Sequence, residues 1–357
     1  MQYNSTIQIG NQLIGIHQPT YFIADIASNH DGDLERAKEL IWLSKEAGAD
    51  AIKFQHFKAE NIVSDYGFKN LKQGSHQASW EKSVFEVFKD YEFNRNWNEI
   101  LKQEAKKANI EFFTTPYDVP AVEEIDHLVG AYKIGSGDIT WIEFIEHVAN
   151  KKKPILIASG ASNFQDVQRA VQAILPINKD IVLMQCNTNY TGSLENFKYI
   201  NLNVLKTFAT MYPNMILGLS DHTPGHATVL GAIALGARVV EKHFTDSNDR
   251  IGPDHPFSMN PISWREMVDR SRELELALGN GIKDIETNEK ETVIVQRRGT
   301  YLTANKKAGE VINESDIEFL RPATNGIYLP YEKLDIIGKK LKIGKNKSEP
   351  LNKGDLL

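Results

Sequence analysis

The sequence contains few of the features that mark secreted or membrane-bound proteins. Cysteine occurs once in 357 residues, at Cys186, so no internal disulfide can form, and a lone thiol in an apolar run is typical of a reducing compartment. No run approaches the roughly 20 apolar residues of a membrane helix, and the start, MQYNSTIQIG, lacks a signal-peptide pattern. We therefore expect a cytoplasmic protein with no membrane partner.

An excess of basic residues is also absent. The 41 Lys and Arg residues are outnumbered by 47 Asp and Glu residues, the formal net charge is -6, and neither sign forms long runs. This balance provides no electrostatic surface for DNA or RNA, so we expect no nucleic-acid partner. Hydrophobic residues at 41% and charged residues at 25% are ordinary values for a folded globular protein.

Short apolar runs alternate with longer helical patterns from residue 22 onward, which is typical of parallel strands joined by helices. The eight runs are FIADIASN, AIKFQHF, EFFTTP, AYKIGSG, ILIASG, IVLMQC, ILGLSD and ARVVEKHF. Eight such units over roughly 250 residues predict an α/β fold, a closed (β/α)8 TIM barrel. An alternating stretch about a Gly-Asn turn, TIQIGNQLIGIHQ, predicts an N-terminal β-hairpin that caps the bottom of the barrel.

The pattern changes after the last barrel helix. A polar stretch, GNGIKDIETNEKE, interrupts the apolar periodicity. Short β-like runs such as YLT, EVI and KLKI follow it and are separated by glycines. The sequence therefore predicts a catalytic barrel over residues 1–282, a linker over residues 283–295 and a small, mostly β domain over residues 296–357.

Polar residues at the carboxyl ends of the predicted strands are the candidates for chemistry, because the active site of a (β/α)8 barrel lies there. His222 and His243 end adjacent strands, where two imidazoles can bind one divalent cation. A carboxylate such as Asp25 or Asp254, water or substrate oxygen would complete the coordination sphere. A purely structural role for the two histidines is the alternative.

Two lysines, Lys53 and Lys133, end other strands and point into the same predicted mouth. Hydroxyl groups accompany them at Thr115, Ser136, Ser159 and Ser220. Such a set suits the phosphate and carboxylate of one small anion, since lysine supplies charge and hydroxyls supply directional hydrogen bonds. The alternative is a lysine that forms a Schiff base.

The remaining strand-end and loop residues have weaker signals. Asp25 and Asp138 can orient water or move protons, and the alternative for each is a helix cap or a satisfied rim group. His226 and His255 are interpreted as solvated loop residues. The aromatic-rich segment from Trp80 to Trp97 exceeds a simple crossover, so we expect part of it to form a loop over the site.

Several ordered motifs together resemble the sialic acid synthase family. They are IADIASNHDGDLERAKELIWLSKEAGADAIKFQ, TTPYD, YKIGSGD, ILIASG, GLSDHT, EKHFT and GPDHPFSM. The tail, with AGEVINESDIEFLRP, is similar to the antifreeze-like (SAF) domain that ends those enzymes. The resemblance extends from about residue 20 to the end of the chain, and a set of motifs in order is more specific than any single one.

The resemblance implies a transferase that forms a carbon–carbon bond. Carbon 3 of phosphoenolpyruvate attacks the aldehyde of an opened amino sugar such as N-acetylmannosamine while a metal polarises the aldehyde oxygen; water then adds to carbon 2, and phosphate leaves by carbon–oxygen cleavage. His222 and His243 would be the metal ligands. We expect Mn²⁺, with Mg²⁺ or Co²⁺ as alternatives.

The resemblance also implies roles for other residues and a homodimer. Phosphoenolpyruvate would be held by Lys53, Thr115, Lys133, Ser136, Ser159, Thr188 and Ser220. The sugar would be faced by Gln55, Tyr190 and Asp254. The small domain would fold over the barrel of the partner chain, and Arg321 would reach the acyl group of the acceptor there.

This chain departs from the family at the mouth of the barrel. Asp25 and Asp138 stand where glutamate is usual, and a side chain shorter by one methylene displaces a contact where positioning is demanding. We therefore hypothesise an acceptor other than N-acetylmannosamine, such as a diacetamido-trideoxyhexose or a non-acetylated sugar. Two alternatives are a synthase that uses a phosphorylated sugar, for which Arg250 is the one obvious extra cation, and a binding protein that has lost activity.

Overall fold

The computed structural model describes residues 2–71, 80 and 82–357. The chain forms two units, Met1–Gly279 and Asn280–Leu357. Residues 283–295, predicted as a linker, belong to the second unit. None of the helices in the described ranges is long and apolar enough to cross a membrane.

A β-hairpin precedes the barrel, as predicted. Strands β1 (Thr6–Ile9) and β2 (Gln12–Gly15) are antiparallel and join at a turn in which Gly10 has a positive φ of 56°, a conformation that glycine adopts without strain. The side chain of Gln12 donates a hydrogen bond to Asp50, just before a barrel strand. The hairpin therefore caps the amino-terminal end of the barrel.

Eight parallel strands close into a barrel, so the predicted (β/α)8 fold is confirmed. They are β3 (Tyr21–Asp25), β4 (Ala51–His56), β5 (Glu111–Pro116), β6 (Tyr132–Ile134), β7 (Ile155–Ala158), β8 (Ile181–Cys186), β9 (Ile216–Asp221) and β10 (Ala237–His243). The last strand pairs with the first, and His243 lies opposite Asp25 in the register. Closure therefore joins residues that are far apart in the sequence.

Helices surround these strands. They are α1 (Leu34–Glu46), α2 (Ala59–Ile62), α3 (Asp65–Lys69), α4 (Val84–Asp90), α5 (Asn98–Lys107), α6 (Val119–Ile125), α7 (Ile142–Ala149), α8 (Phe164–Ile174), α9 (Val204–Met211), α10 (Ala227–Ala234) and α11 (Pro261–Leu278). Short 3-10 turns occur at Arg95–Trp97, Asp126–Leu128, Ser136–Asp138, Leu194–Tyr199 and His255–Phe257.

Helix α1 shows how the sequence sets these elements. The carboxylate of Asp33 caps its first turn by accepting two backbone hydrogen bonds. Ala37, Leu40 and Ile41 form its buried face, as the spacing of apolar residues predicts. Gly48, with φ of 95°, follows the helix and turns the chain into β4.

The barrel strands are buried on both faces, because helices cover the outside and side chains fill the interior. Strands β3, β8 and β9 are buried at every residue. Polar side chains within such strands require partners inside the protein or a ligand. The polar strand ends of this barrel therefore identify where to look for the functional site.

The second unit is small and contains short β segments. Helix α12 (Lys290–Gln296) precedes the antiparallel strands β11 (Gly299–Leu302) and β12 (Ile317–Leu320), and isolated β-bridges join further segments. A 3-10 turn precedes α12 at Thr287–Glu289, and two more lie at Glu314–Asp316 and Pro330–Asp335. A hydrophobic core of the second unit consists of Leu302, Ile312, Ile336, Leu341 and Leu351.

Candidate active site

A cavity of about 270 Å³ opens at the carboxyl ends of the barrel strands, where the fold predicts a site. Most of the predicted site residues line it. These are Asp25, Lys53, Gln55, Thr115, Lys133, Ser136, Tyr190, Ser220, His222, His243 and Asp254. Their roles stay predictions, but the fold brings these side chains together.

Strand periodicity decides which polar residues reach the cavity. Ser220 and His222, at the end of β9, line it, whereas Asp221 between them does not. Glu241 and His243, at the end of β10, line it as well. Alternate residues of a strand point to opposite faces, so both strands present every second side chain to the interior.

Lys242, which ends a predicted strand beside His243, faces away from the cavity. Its Nζ donates to Asp221 Oδ2 and to the carbonyl of Thr223, both at 2.5 Å. Asp221 Oδ2 also accepts a hydrogen bond from Thr228 on α10 at 2.7 Å. Lys242 therefore lies in a network between the strands and the helical layer.

The two histidines are neighbours in the cavity. The ring centroids of His222 and His243 are 5.2 Å apart. His222 Nδ1 lies 2.9 Å from the carbonyl oxygen of Asn187, and because a carbonyl only accepts, Nδ1 carries the proton and Nε2 carries the lone pair. The buried Nδ1 of His243 has no hydrogen-bond partner in the part of the chain that the structure describes.

This donor set suits a divalent cation with open coordination positions. His243 Nε2 is 3.7 Å from Asp25 Oδ2 and its Nδ1 is 3.9 Å from Asp254 Oδ2. No group of three His, Cys, Asp or Glu side chains within the described ranges forms a ready metal site. A cation held by the two imidazoles would therefore need water or substrate oxygen as its other ligands.

Asp25 and Lys53 form a buried ion pair on the floor of the cavity. Lys53 Nζ donates to Asp25 Oδ2 at 2.8 Å and to Thr115 Oγ1 at 2.9 Å, and Gln55 donates to the same Asp25 oxygen at 2.9 Å. Burial raises the pKa of Asp25, but the charges of Lys53 and His243 and the hydrogen bonds outweigh it and lower that pKa to about 2. Asp25 is therefore ionised.

Lys133 pairs with Glu241, a site residue that the sequence reasoning missed. Lys133 Nζ donates to Glu241 Oε1 at 2.6 Å, and Ser220 Oγ donates to the same oxygen at 3.2 Å. Glu241 Oε2 is buried and has no partner among the described residues. The signal was available, because Glu241 lies two residues before His243 and therefore shares its face of β10.

Ser28 is a second missed residue. Its hydroxyl donates to Asp254 Oδ2 at 2.5 Å, and its backbone N–H donates to the same oxygen at 3.1 Å. Ser28 follows β3 and Asp254 follows β10, so the contact ties the loops after the first and last barrel strands together. It also holds the carboxylate of Asp254 at the cavity.

Two predicted phosphoenolpyruvate contacts lie beside the cavity rather than in its lining. Ser159 donates to the carbonyl of Met184 at 3.0 Å and lines an adjoining groove next to α8. Thr188 lies against Gly160, where an added Cβ would stand 2.5 Å from Thr188 Cγ2 and 2.7 Å from Ser136 Oγ. The close approach of these segments requires glycine.

Asp138 and Arg321 are also outside the cavity lining. Ser136 and Gly137 line the cavity, but Asp138 ends their 3-10 turn, and its buried Oδ2 has no partner in the described part of the chain. Burial raises the pKa of Asp138 to about 6. Arg321 belongs to the second unit, where it is exposed directly after β12.

The interpretation of His255 as a solvated loop residue was wrong. Its side chain is 0% exposed. His255 Nδ1 lies 2.7 Å from Thr245 Oγ1 and Nε2 lies 3.1 Å from Asp31 Oδ1. Its role is to connect the loops after β10 and β3. His226 is half-buried and stands at the start of α10.

Part of the segment from Trp80 to Trp97 lines the cavity, and both helix α4 and non-helical residues on either side of it contribute. Trp80, Phe88 and Tyr91 line the cavity, and Phe88 is on α4. Phe93, at 0% exposure, instead packs into the core. Residue 81 of this segment lies outside the described residues.

Comparisons with known proteins agree with this geometry. A sequence model of the NeuB family matches residues 40–283. The chain is 34% identical to the N,N'-diacetyllegionaminic acid synthase of Legionella pneumophila over 338 residues, which cover 92% of each chain. It is 30% identical to the human N-acetylneuraminate-9-phosphate synthase over 332 residues, 92% of this chain and 90% of that protein.

A solved structure extends the likeness to three dimensions. The N-acetylneuraminic acid (sialic acid) synthetase of Leptospira borgpetersenii, crystallised with citrate, superposes with a TM-score of 0.70 at 28% sequence identity. The match covers 82% of this chain and 96% of that chain. Sequence and structure therefore point to the same group of proteins.

Proposed function

The chain belongs to the NeuB family of carbon–carbon bond-forming synthases, and on this premise we propose that it is a nonulosonic acid synthase. It condenses phosphoenolpyruvate with the open-chain form of an unphosphorylated N-acyl amino sugar and releases phosphate. The proposal extends to a cytoplasmic location, which the lone cysteine supports.

One observation carries the proposal: two buried lysines and two neighbouring imidazoles line the same cavity. Lys53 and Lys133 would hold the carboxylate and phosphate of phosphoenolpyruvate, because each ammonium is fixed at the floor by a carboxylate. Thr115, Ser136 and Ser220 would add hydrogen bonds. Ser159 and Thr188 complete the predicted set from the adjoining segments.

The state of Lys53 argues against the Schiff-base alternative. Burial lowers its pKa, but Asp25 and Glu241 outweigh burial and raise that pKa above its ordinary value. A protonated amine is not a nucleophile, whereas Schiff-base lysines are activated by a depressed pKa. Lys53 therefore suits anion binding.

His222 and His243 would hold the divalent cation, for which we propose Mn²⁺, with Mg²⁺ or Co²⁺ as alternatives. A bound cation would supply Lewis-acid polarisation of the acceptor aldehyde. The lone pair on His222 Nε2 and the unpartnered Nδ1 of His243 support this assignment. Gln55, Tyr190 and Asp254 would face the sugar.

The bond changes define what the protein must do. Carbon 3 of phosphoenolpyruvate bonds to the aldehyde carbon, water adds to carbon 2, and the carbon–oxygen bond to phosphate breaks. Asp25, held ionised by Lys53 with a pKa of about 2, would accept a hydrogen bond from water and orient it. Asp138, next to Gly137 of the lining, is the candidate to accept a proton, because burial raises its pKa to about 6.

A phosphorylated acceptor is the second candidate, since the human relative is named for a 9-phosphate product. A second phosphate would need additional cationic side chains in the cavity, and their shortage favours the unphosphorylated sugar. Lys53 and Lys133 are the lysines and arginines that line the cavity within the described ranges. Arg250, the predicted extra cation, pairs with Asp246 at 2.6 Å.

We further propose a homodimer in which the C-terminal unit, as an antifreeze-like domain, covers the barrel of the partner chain. Arg321 would then contact the acyl group of the acceptor. Its exposed position after β12 supports this role. A mixture of inactive Arg321→Ala and inactive His243→Ala chains should regain partial activity, and a mixture without any gain would contradict the exchange.

Phosphate release from phosphoenolpyruvate tests the function directly. The protein is incubated with Mn²⁺ and one candidate amino sugar at a time, with and without a chelator. Release that needs one unphosphorylated sugar and stops with the chelator is expected. Release only with a phosphorylated sugar would support the second candidate, and no release with any sugar would overturn the proposal. His243→Ala is expected to abolish turnover with the fold intact.

A further inference from the structure

His243 lacks the hydrogen bond that usually orients a metal-binding histidine. Such a histidine ordinarily donates its second ring N–H to a carboxylate, a backbone carbonyl or water. Its Nε2 lies 3.7 Å from an oxygen of Asp25 and its Nδ1 lies 3.9 Å from an oxygen of Asp254, and both distances exceed hydrogen-bond length. The buried Nδ1 has no partner among the described residues. Within the described part of the chain, packing therefore sets the direction of this imidazole.

The ring of Phe257 provides this packing. Its centroid lies 5.0 Å from that of His243 and 6.2 Å from that of His222. It also lies 5.8 Å from the ring of Tyr190, which is 4.3 Å from the ring of His222. Aromatic rings attract one another at such separations, over a range of roughly 4.5–7 Å. The four rings form one cluster, in which Phe257 is the member without a polar atom.

Phe257 lies behind the other three rings of the cluster as seen from the cavity. It is 4% exposed and does not line the cavity, whereas the other three rings do. The loop after β8 closes over it, because a Cβ added at Gly192 would stand 3.1 Å from Phe257 Cβ. An effect of Phe257 on the reaction therefore has to pass through the rings that it contacts.

The 3-10 turn His255–Phe257, which carries this ring, is fixed by buried hydrogen bonds. The side chain of His255 is 0% exposed and contacts one loop through each ring nitrogen. The side chain of Asn248 donates to the carbonyl oxygens of His255 and Ser258, at 2.9 and 2.7 Å, and so spans the turn. Phe257 is therefore held in position before a cation binds, as a group that orients a ligand must be.

We propose that Phe257 is a positioning residue for the cation. It holds the imidazole of His243, and with it that of His222, in the orientation that binds the metal. Packing thus provides for His243 what the hydrogen bond to the carbonyl of Asn187 provides for His222. The inference rests on the proposed function, because it takes the two histidines as the cation ligands. Without the ring, binding would have to restrict the rotation of the imidazoles, which lowers affinity.

Binding of Mn²⁺ alone tests the inference without turnover. Electron paramagnetic resonance of free Mn²⁺ measures the Kd of the full-length protein. Phe257→Leu removes the ring but keeps an apolar side chain, and we expect it to raise this Kd about tenfold, as the loss of a group that orients a metal ligand does. Phe257→Met fills the same space with a flexible chain and should show the same increase if the leucine variant does not fold. An unchanged Kd would overturn the inference.

Phe244→Leu is the matched control. Phe244 directly follows His243, is 0% exposed, and packs at 5.5 Å against Trp264 on α11 rather than against the ring cluster. The same substitution there should lower the unfolding free energy, as it does at Phe257, because both rings are buried. It should leave the Kd for Mn²⁺ unchanged. If both variants lost the same affinity, Phe257 would act through general stability and the inference would be wrong.

The histidines themselves separate the inference from the proposed function. His222→Ala and His243→Ala should abolish Mn²⁺ binding. Binding that survives in both variants, or no binding by the parent, would overturn the cation site and the inference with it. Loss of binding in the histidine variants with an unchanged Kd in Phe257→Leu would overturn the inference alone. Weaker binding in Phe257→Leu supports the inference even if no sugar releases phosphate, an outcome that would refute the proposed function only.

The dependence of activity on Mn²⁺ gives a second measurement that a purely structural role would not change. At limiting Mn²⁺, phosphate release by Phe257→Leu should fall about tenfold relative to the parent, in line with its weaker binding. Excess Mn²⁺ should restore most of this loss, because the occupied site is the same. A loss that persists in excess Mn²⁺, with the Kd unchanged, would mean that the ring does not act through the cation and would overturn the inference.

Discussion

Two buried lysine–aspartate pairs lie on neighbouring strands of the barrel but face in opposite directions. Lys53 pairs with Asp25 at 2.8 Å, and Lys242 pairs with Asp221 at 2.5 Å. All four side chains are at most 2% exposed. The pairs are therefore chemically alike, and only their surroundings distinguish them.

The surroundings decide what each pair can do. Asp221 accepts further hydrogen bonds from Thr223 and Thr228, and Lys242 donates to a backbone carbonyl, so this network is complete within the protein. The Lys53 pair lines the cavity, next to a Glu241 oxygen without a partner among the described residues. A closed network contributes to folding, whereas an open one has capacity for a ligand.

Breaking the open pair gives the largest expected effect. Lys53→Met should lower kcat/KM for phosphoenolpyruvate about 1,000-fold or more, about 4 kcal/mol of transition-state stabilisation, because it removes a charge that binds the substrate anion. The loss of unfolding free energy should be smaller than for breaking the Lys242–Asp221 pair, since water can reach Asp25 through the cavity. Phosphate release and urea unfolding measure the two effects. Activity within tenfold of the parent would contradict the role.

Breaking the closed pair should lower stability strongly and activity little. Lys242→Met leaves Asp221 buried without its cation, and we expect the unfolding free energy to fall by about 3 kcal/mol. The kcat/KM of the folded fraction should stay within twofold of the parent. Urea unfolding and phosphate release give both values. A large loss of activity without loss of stability would show that the network serves the site.

A double variant provides the control for this prediction. Adding Asp221→Leu to Lys242→Met removes the uncompensated charge, and apolar replacements of buried pairs are often tolerated. The double variant should therefore regain part of the lost stability, which single substitutions at distant sites would not do. An additive, further loss would mean that the threonine contacts, rather than the ion pair, dominate the network.

The comparison also shows what the sequence could predict. The eight apolar runs were sufficient for the closed barrel, because buried parallel strands leave a strong hydrophobic signal. The pattern also located the strand ends, and with them His222, His243, Lys53 and Lys133. The pattern did not show that His243 faces the cavity and Lys242 faces away from it. Adjacent residues on a strand point to opposite faces, and the pattern did not show which face each of them takes.

Side-chain direction and long-range partners account for the remaining differences. Glu241 was missed although its spacing from His243 predicts a shared face, and His255 was misjudged because its partners, Thr245 and Asp31, come from two loops. Sequence alone does not bring such loops together. The sequence predicts a loop in the segment between β4 and β5 but does not predict helix α4, since the short apolar run of α4 has no clear period.

Lowering the pH separates the buried histidines from the ion pairs, because the histidines affect stability below pH 6.5 and Asp25 only at lower pH. Burial lowers the pKa of His30 and of His56 to about 4. The unfolded chain binds these protons near pH 6.5, so stability falls as the pH drops from 6.5 to 4, by about 2 kcal/mol per histidine at pH 5. Asp25, with a pKa of about 2, keeps its contribution down to pH 3.8 and loses it below.

Urea unfolding at pH 7 and pH 5 measures this loss. In His56→Gln the difference between the two pH values should be smaller than in the parent by about 2 kcal/mol, because the titrating group is gone. His127→Gln, at an exposed histidine, serves as the control and should leave the difference unchanged. An unchanged difference in His56→Gln would assign the acid sensitivity to other groups.

Asp138 completes the comparison, since its half-buried carboxyl pairs with no lysine among the described residues. Burial raises its pKa to about 6, so the folded protein keeps this proton at pH values where the unfolded chain, near 3.8, has released it, and stability falls as the pH rises from 3.8 to 6. Asp138→Asn should therefore raise the unfolding free energy by about 2 kcal/mol at pH 7.5 and leave it nearly unchanged at pH 4, whereas Asp249→Asn, at an exposed position, should change neither value. If Asp138 also moves a proton in the reaction, the same variant loses turnover while it gains stability; a loss of stability at pH 7.5 would instead mean that the ionised carboxylate has a partner in the folded protein.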